Sequence, residues 1–293
     1  MMRLTIVALL SACALLAETA PELLEQKLMA RIHALDAKLD GVLGVAVIDL
    51  STGHTFAFHG DTVFAQASSI KIPIMAGMYR AERAGEFSFD DAVTLETKAY
   101  VGGSGELQKG LLKGPVTTTI GKLVQAMIEE SDNTATNWCI AKLGMGRVNR
   151  LLDELNLVNT RLRRIMLDSA AAARNEENVS TPKEMARLAE MIYRLRLVDP
   201  SASMDMRNLM GLVKADFRKA VPAGISVASK PGEVTGVRCE TGIIFLPGRP
   251  FVLSVMSSFL PGEENPVEAV TRMVFSHFER LASGNQFGNL GTY

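Results

Sequence analysis

From Glu22 to Leu39 the apolar positions Leu24, Leu28, Ile32, Leu35 and Leu39 recur at helical spacing. The next apolar stretch, Val42 to Leu50, is rich in β-formers and lacks that period. A second such stretch, Thr55 to His59, follows Ser51-Thr52-Gly53, so the two predict a hairpin. From Ser68 to Leu197 the pattern is mostly helical, with no comparable strand pair; Met185, Leu188, Ile192 and Leu195 make a clear stripe. Strands are predicted again at 225–229, 241–246 and 251–257, the last two joined by Pro247-Gly248-Arg249-Pro250. An amphipathic helix over 266–281 closes the pattern. Strands at both ends and helices between them predict an α/β (α+β) fold. Residues 21–63 plus 208–283 form one α/β domain, with a five-stranded antiparallel sheet flanked by N- and C-terminal helices. Residues 64–207 form an all-helical domain inserted in it, and 284–293, rich in Gly and Asn, a flexible tail.

Composition narrows the chemistry. The chain has 293 residues and balances 31 basic against 32 acidic side chains, which gives no footprint for nucleic acid. Four histidines and three cysteines are scattered, and no H-E-x-x-H, C-x-x-C or G-x-G-x-x-G occurs. No metal and no cofactor is therefore expected. Met1-Met2-Arg3 precedes an almost uncharged apolar run, Leu4 to Ala17, which has the length of a signal h-region and is short for a membrane span. Residues 1–20 are read as an export signal, and the protein as periplasmic or secreted. Leu10-Ser11-Ala12-Cys13 is similar to a bacterial lipobox, so a lipoprotein anchored through Cys13 stays open beside simple cleavage. Export permits disulfides. Cys139 and Cys239 can be a bridge or two buried thiols, the second being the plainer reading.

Ser68-Ser69-Ile70-Lys71 places a serine and a lysine three apart at the start of a predicted helix, on one face. A serine hydroxyl needs a base to become a nucleophile, and a lysine supplies one when burial lowers its pKa. S-x-x-K alone is weak, because the chain holds a second copy, Ser180-Thr181-Pro182-Lys183. There Thr181, Pro182 and Glu184 read instead as N-cap, first helical position and capping-box partner. Two further motifs accompany the first copy: Ser131-Asp132-Asn133 after the helical run 120–128, and Lys230-Pro231-Gly232 on the strand starting near Ile225.

In this order the three motifs resemble the class A β-lactamases and class-A-like penicillin-binding proteins. The neighbouring Gly44-Val45-Ala46-Val47, Gly103-Ser104-Gly105 and Asn133-Thr134-Ala135-Thr136-Asn137 agree with that resemblance. It implies a nucleophile at Ser68, activated by Lys71, and a proton shuttle at Ser131 assisted by Lys230. It implies an oxyanion hole from the backbone N–H groups of Ser68 and Glu233. Asn133 and Gly232 would contact substrate, and Asp132 would support the loop. The implied partner is a small molecule, either a β-lactam or a peptidoglycan stem peptide ending in D-Ala-D-Ala.

Two positions depart from the family pattern. The glutamate that activates water in class A β-lactamases stands two residues past the arginine matched by Arg164, and here that residue is Met166. Asp168 is the nearest carboxylate, with a salt bridge to a loop arginine as its structural reading; Glu176 and Glu177 read as solvated. Pro231 replaces the family's Thr or Ser, which removes a hydroxyl that would bind the substrate carboxylate. Proline fits an edge strand. Arg238 is the candidate to bind that carboxylate instead, with a surface strand arginine as the alternative. The expectation is an acylated serine hydrolase, a slow β-lactamase or a D,D-peptidase. A non-catalytic β-lactam or muropeptide sensor and an esterase or amidase on other acyl groups stand as alternatives.

Overall fold

The computed structural model describes residues 18–285 and 287–289. Most of the expected leader, including Cys13, lies outside the described residues, as does part of the expected tail. Helix α1 (Ala20–Asp36) starts on a capping box between Thr19 and Glu22, with Pro21 in its first turn, and buries Leu28 and Ile32. The predicted hairpin follows as β1 (Val42–Asp49) and β2 (Thr55–Phe58). β3 (Phe64–Ala65) leads through a 3₁₀ turn, Ala67–Ile70, into α2 (Lys71–Arg83). Almost every α2 side chain as far as Tyr79 is buried, as expected of a helix apolar on all sides.

The middle of the chain continues with β4 (Ala92–Leu95), α3 (Leu107–Leu111), β5 (Val116–Thr119), α4 (Ile120–Glu129), α5 (Asn133–Leu143) and α6 (Met145–Glu154). It ends with α7 (Ser169–Ala173), β6 (Val179–Ser180), α8 (Pro182–Tyr193) and α9 (Pro200–Gly211). Two small ladders, β3 with β6 and β4 with β5, stand where only helices were expected. Strands of two to four residues are too short for a period to register. The expected boundary between 207 and 208 falls inside α9.

α10 (Asp216–Ala220) precedes β7 (Ser226–Val234), β8 (Val237–Phe245) and β9 (Phe251–Ser258), and α11 (Val267–Ser283) follows. The antiparallel sheet runs β2-β1-β9-β8-β7, so β7 is an edge strand. Alternate residues feed two cores. Ala46, Ile48, Ile243, Val252 and Met256 join the helices of the middle segment. Val45, Val47, Ile244, Leu253 and Val255 meet α1 and α11 on the other face. With both faces covered, the central strands read as continuous apolar runs rather than alternating ones.

Candidate active site

Ser68 sits in the 3₁₀ turn, half-buried, and its side chain makes no hydrogen bond among the described residues. Lys71 opens α2 and is fully buried. Its Nζ donates to Ser131 O at 2.7 Å, Ser131 Oγ at 3.0 Å and Asn133 Oδ1 at 3.0 Å. Burial, reinforced by the Lys230 charge and opposed by Asp132, pushes the Lys71 ammonium well below its ordinary pKa.

Ser131 reaches that lysine from a left-handed backbone, φ 57°, between α4 and α5. Asp132 is fully buried and caps α5 through Ala135 N at 2.8 Å, while its second oxygen accepts Leu107 N at 3.0 Å. Gly105, at φ 110°, must be glycine, since a Cβ there would overlap the Asp132 carboxylate. Asn133 N donates to Ser104 O at 3.1 Å and Nδ2 to Gly102 O at 3.2 Å, so Ser104 holds its backbone and Gly102 fixes the amide that faces Lys71.

β7 brings the third motif. Lys230 is buried, with Nζ 3.3 Å from Pro231 O, and burial lowers its pKa to about 8 against the opposing pull of Cys239 and Glu240. Pro231 has no N–H, and on this edge strand its position faces away from β8. Glu233, two residues on, aims its N–H the same way. A Cβ on Gly232 would lie 2.8 Å from Ser68 N and 2.5 Å from Gln66 O, so glycine lets the strand approach the nucleophile turn. Lys71, Ser131 and Asn133 are thus in direct contact, Gly232 packs against the Ser68 turn, and the Lys230 charge acts on Lys71.

Arg238 is not brought to these residues. The residue stands opposite Glu233 in the ladder and on the other sheet face from Cys239, whose thiol meets the nucleophile turn. Its guanidinium donates to the carbonyls of Val234 and Val237, pairs with Glu233 at 3.1 Å and Glu263 at 3.6 Å, and is buried. That inventory of bonds corrects its assignment as the carboxylate binder.

The loop 161–179 closes the other side. Met166 is buried, and Asn137 clamps its backbone on both sides, Met166 N to Oδ1 at 2.7 Å and Nδ2 to Met166 O at 3.1 Å. Asp168 is the N-cap of α7, accepting Ala171 N at 2.9 Å, and not the partner of a loop arginine. That partner is Glu177, read as solvated but bonded to Arg164 Nε at 3.1 Å and Nη2 at 2.8 Å. Glu176 pairs with Arg174 on the surface. The second S-x-x-K is structural: Ser180 is buried against Thr160 at 2.7 Å, and Lys183 pairs with Asp61 outside. Thr181 caps α8 as predicted, but Glu184 turns to Asn159 N and Thr160 Oγ1 rather than completing the box. Cys139 and Cys239 are both buried free thiols.

The model of the β-lactamase enzyme family matches residues 27–278. β-Lactamase ROB-1 of Haemophilus influenzae is 30% identical over 231 residues, covering 76% of this chain and 74% of that protein. A solved β-lactamase from Sphaerobacter thermophilus superposes with a TM-score of 0.78 at 28% identity, covering 88% of this chain and 97% of that one. PBP-A superposes equally well, TM-score 0.78, at 25% identity over 86% of this chain and 96% of its own. A variant of PBP-A has been solved as its acyl-enzyme complex with penicillin G. On the family model and these relatives together, the chain belongs to the class A β-lactamase-like family of serine hydrolases.

Proposed function

We propose that this protein is an exported acyl-transferring hydrolase, acylated at Ser68 by β-lactams or by peptides ending in D-Ala-D-Ala. The observation that carries the reading is the buried contact of Lys71 with Ser131, beside a loop that offers a thioether where the family has its water-activating carboxylate. Ser68 Oγ attacks the carbonyl carbon, and its proton passes to Lys71 in its neutral form, whose two N–H groups serve Ser131 O and Asn133 Oδ1 and whose lone pair is left to accept. The N–H groups of Ser68 and Glu233 hold the developing oxyanion; one such donor is worth roughly a hundred- to a thousand-fold in rate. On collapse the C–N bond breaks, and the leaving nitrogen takes a proton from Ser131 Oγ, replenished from the lysines. The acyl group stays as an ester on Ser68.

Deacylation separates the substrates. Water must lose a proton to attack the ester, and Met166 cannot accept one. A peptide substrate releases its amine, which leaves the Lys71 and Ser131 pair free to serve as base. A penicillin keeps its leaving nitrogen tethered across that position. Slow β-lactam turnover with faster peptide turnover follows, and the penicillin acyl-enzyme of the PBP-A variant supports the trapping step. Periplasmic or secreted location, from the apolar leader, is part of the same proposal.

The test is nitrocefin turnover by purified protein beside a Ser68→Ala control, with intact mass followed over hours. A stoichiometric burst and a slowly decaying adduct on Ser68 are expected. Rapid steady turnover would replace this reading with an efficient β-lactamase, and a permanent adduct with no peptide turnover would make the protein a sensor.

A further inference from the structure

Gln66 lies two residues before Ser68 and is fully buried. A buried primary amide is costly unless its groups are bonded. The side chain and the main chain of Gln66 together bond three parts of the molecule. Gln66 N donates to Asn178 O and Nε2 to Val179 O, each at 2.9 Å, which ties it to the base of the loop 161–179. Its carbonyl accepts Ser69 N at 3.0 Å and Ser69 Oγ at 2.8 Å within the nucleophile turn, and Oε1 lies 3.3 Å from the same hydroxyl. That carbonyl also accepts Cys239 Sγ at 3.0 Å from β8. Cys239 is opposite Gly232 in register, with its sulfur 3.4 Å from Gly232 O. Between Gln66 and Ser68, Ala67 is held at φ 44°, a left-handed conformation that a non-glycine residue keeps only where its surroundings impose it.

We propose that Gln66, acting with Cys239 and Ser69, is a positioning residue for acyl transfer. Its main-chain carbonyl, bonded to Cys239, holds the nucleophile turn to the sheet, and its side-chain amide, bonded to Val179 and Ser69, holds the same turn to the base of the Met166 loop. It touches no substrate; it works through Ala67 and Gly232. The inference rests on acylation at Ser68 as proposed above.

The test uses the full protein and benzylpenicillin in stopped flow, which separates the acylation rate constant from the dissociation constant of the non-covalent complex. Gln66→Met keeps length and volume and removes the amide with its bonds to Val179 and Ser69, leaving the carbonyl bond to Cys239 for the Cys239 variants to probe. It is expected to lower the acylation constant by about tenfold to a hundredfold, with the dissociation constant within about twofold. Cys239→Ala is expected to give a smaller loss in the same constant, and Cys239→Ser, which keeps a donor, to recover it. The double variant Gln66→Met with Cys239→Ala should lose less than the product of the single losses. An unchanged acylation constant in Gln66→Met overturns the proposal. So does a loss that disappears once each variant is assayed well below its own melting temperature, which marks a merely structural tie. If Gln66→Met does not fold, equal constants for the Cys239→Ala, Cys239→Ser and wild-type proteins overturn it. Failure of the wild type to form any adduct on Ser68 is a separate result, which removes the proposed function and is read by mass before the variants are compared.

Discussion

Met166 is clamped by Asn137 through its own backbone, which anchors the loop independently of a side chain that packs in the apolar core. Met166→Glu is therefore expected to supply the missing base and shorten the penicillin adduct lifetime at least about tenfold, as a positioned general base does. Intact-mass decay after a penicillin pulse measures it; an unchanged lifetime means that position 166 does not face the water. Lys230 sets a second limit. With its pKa lowered to about 8, it is charged below that pH and neutral above it. Acylation that needs its charge should fall as pH rises past about 8. Lys230→Arg, which stays charged, should remove that limb from the pH profile even if the absolute rate drops. The residues legible in the sequence were those whose chemistry repeats at short spacing: Ser68 with Lys71, and Ser131 with Asn133. Gln66 was not legible, because a glutamine says nothing about a partner 113 positions away. Arg238 misled for a related reason: its charge suggested an anion, while its strand parity, visible only in the ladder, turned it to the other face.

Helix starts carried their own punctuation. Thr19, Thr119, Asp132, Asp168, Thr181 and Asp199 each cap a helix by accepting a backbone N–H, and Thr181 was readable beforehand through Pro182 and Glu184. The loop 161–179 has little regular structure and depends on side chains instead. Arg164 bonds Glu177 across its base, and Asn178 Oδ1 accepts the N–H groups of Arg163 at 2.8 Å and Arg164 at 3.1 Å. Glu177→Ala removes one of these ties at a partly exposed pair, on the order of 1 kcal/mol. Hydrogen exchange should then rise within 161–179 and stay unchanged in α2 and the sheet. Uniform deprotection across the molecule would show that the loop does not open by itself.

The molecule as a whole is a sheet with a core on each face, and its acid sensitivity lies on the face away from the nucleophile. His277 is buried beside Phe56 and Phe278, its Nδ1 has no hydrogen-bond partner among the described residues, and burial, then Arg249 and Arg280, lower its pKa to about 4. Unfolding restores a value near 6.5, so the unfolded chain binds the extra proton between those limits. His277 thus costs nothing above about pH 6.5 and erodes stability progressively as pH falls to about 4. Glu240, raised to about 7 by burial, has the opposite slope between about 4.5 and 7, since its proton favours the folded state. The informative quantity is the difference between wild type and His277→Gln in urea melts. Wild type should lose stability relative to the variant on acidification, and a pH-independent difference would exclude His277 as the source. The sheet's two margins bear on solubility. β2 is only four residues long, whereas β7 runs for nine and offers a longer template to a stray chain. Pro231, midway along it, deletes one donor, so an intruding strand would find its ladder broken at that point. The residue that costs the pocket a hydroxyl thus also takes one backbone donor from the longer of the sheet's two margins, the one a stray chain would need to pair with.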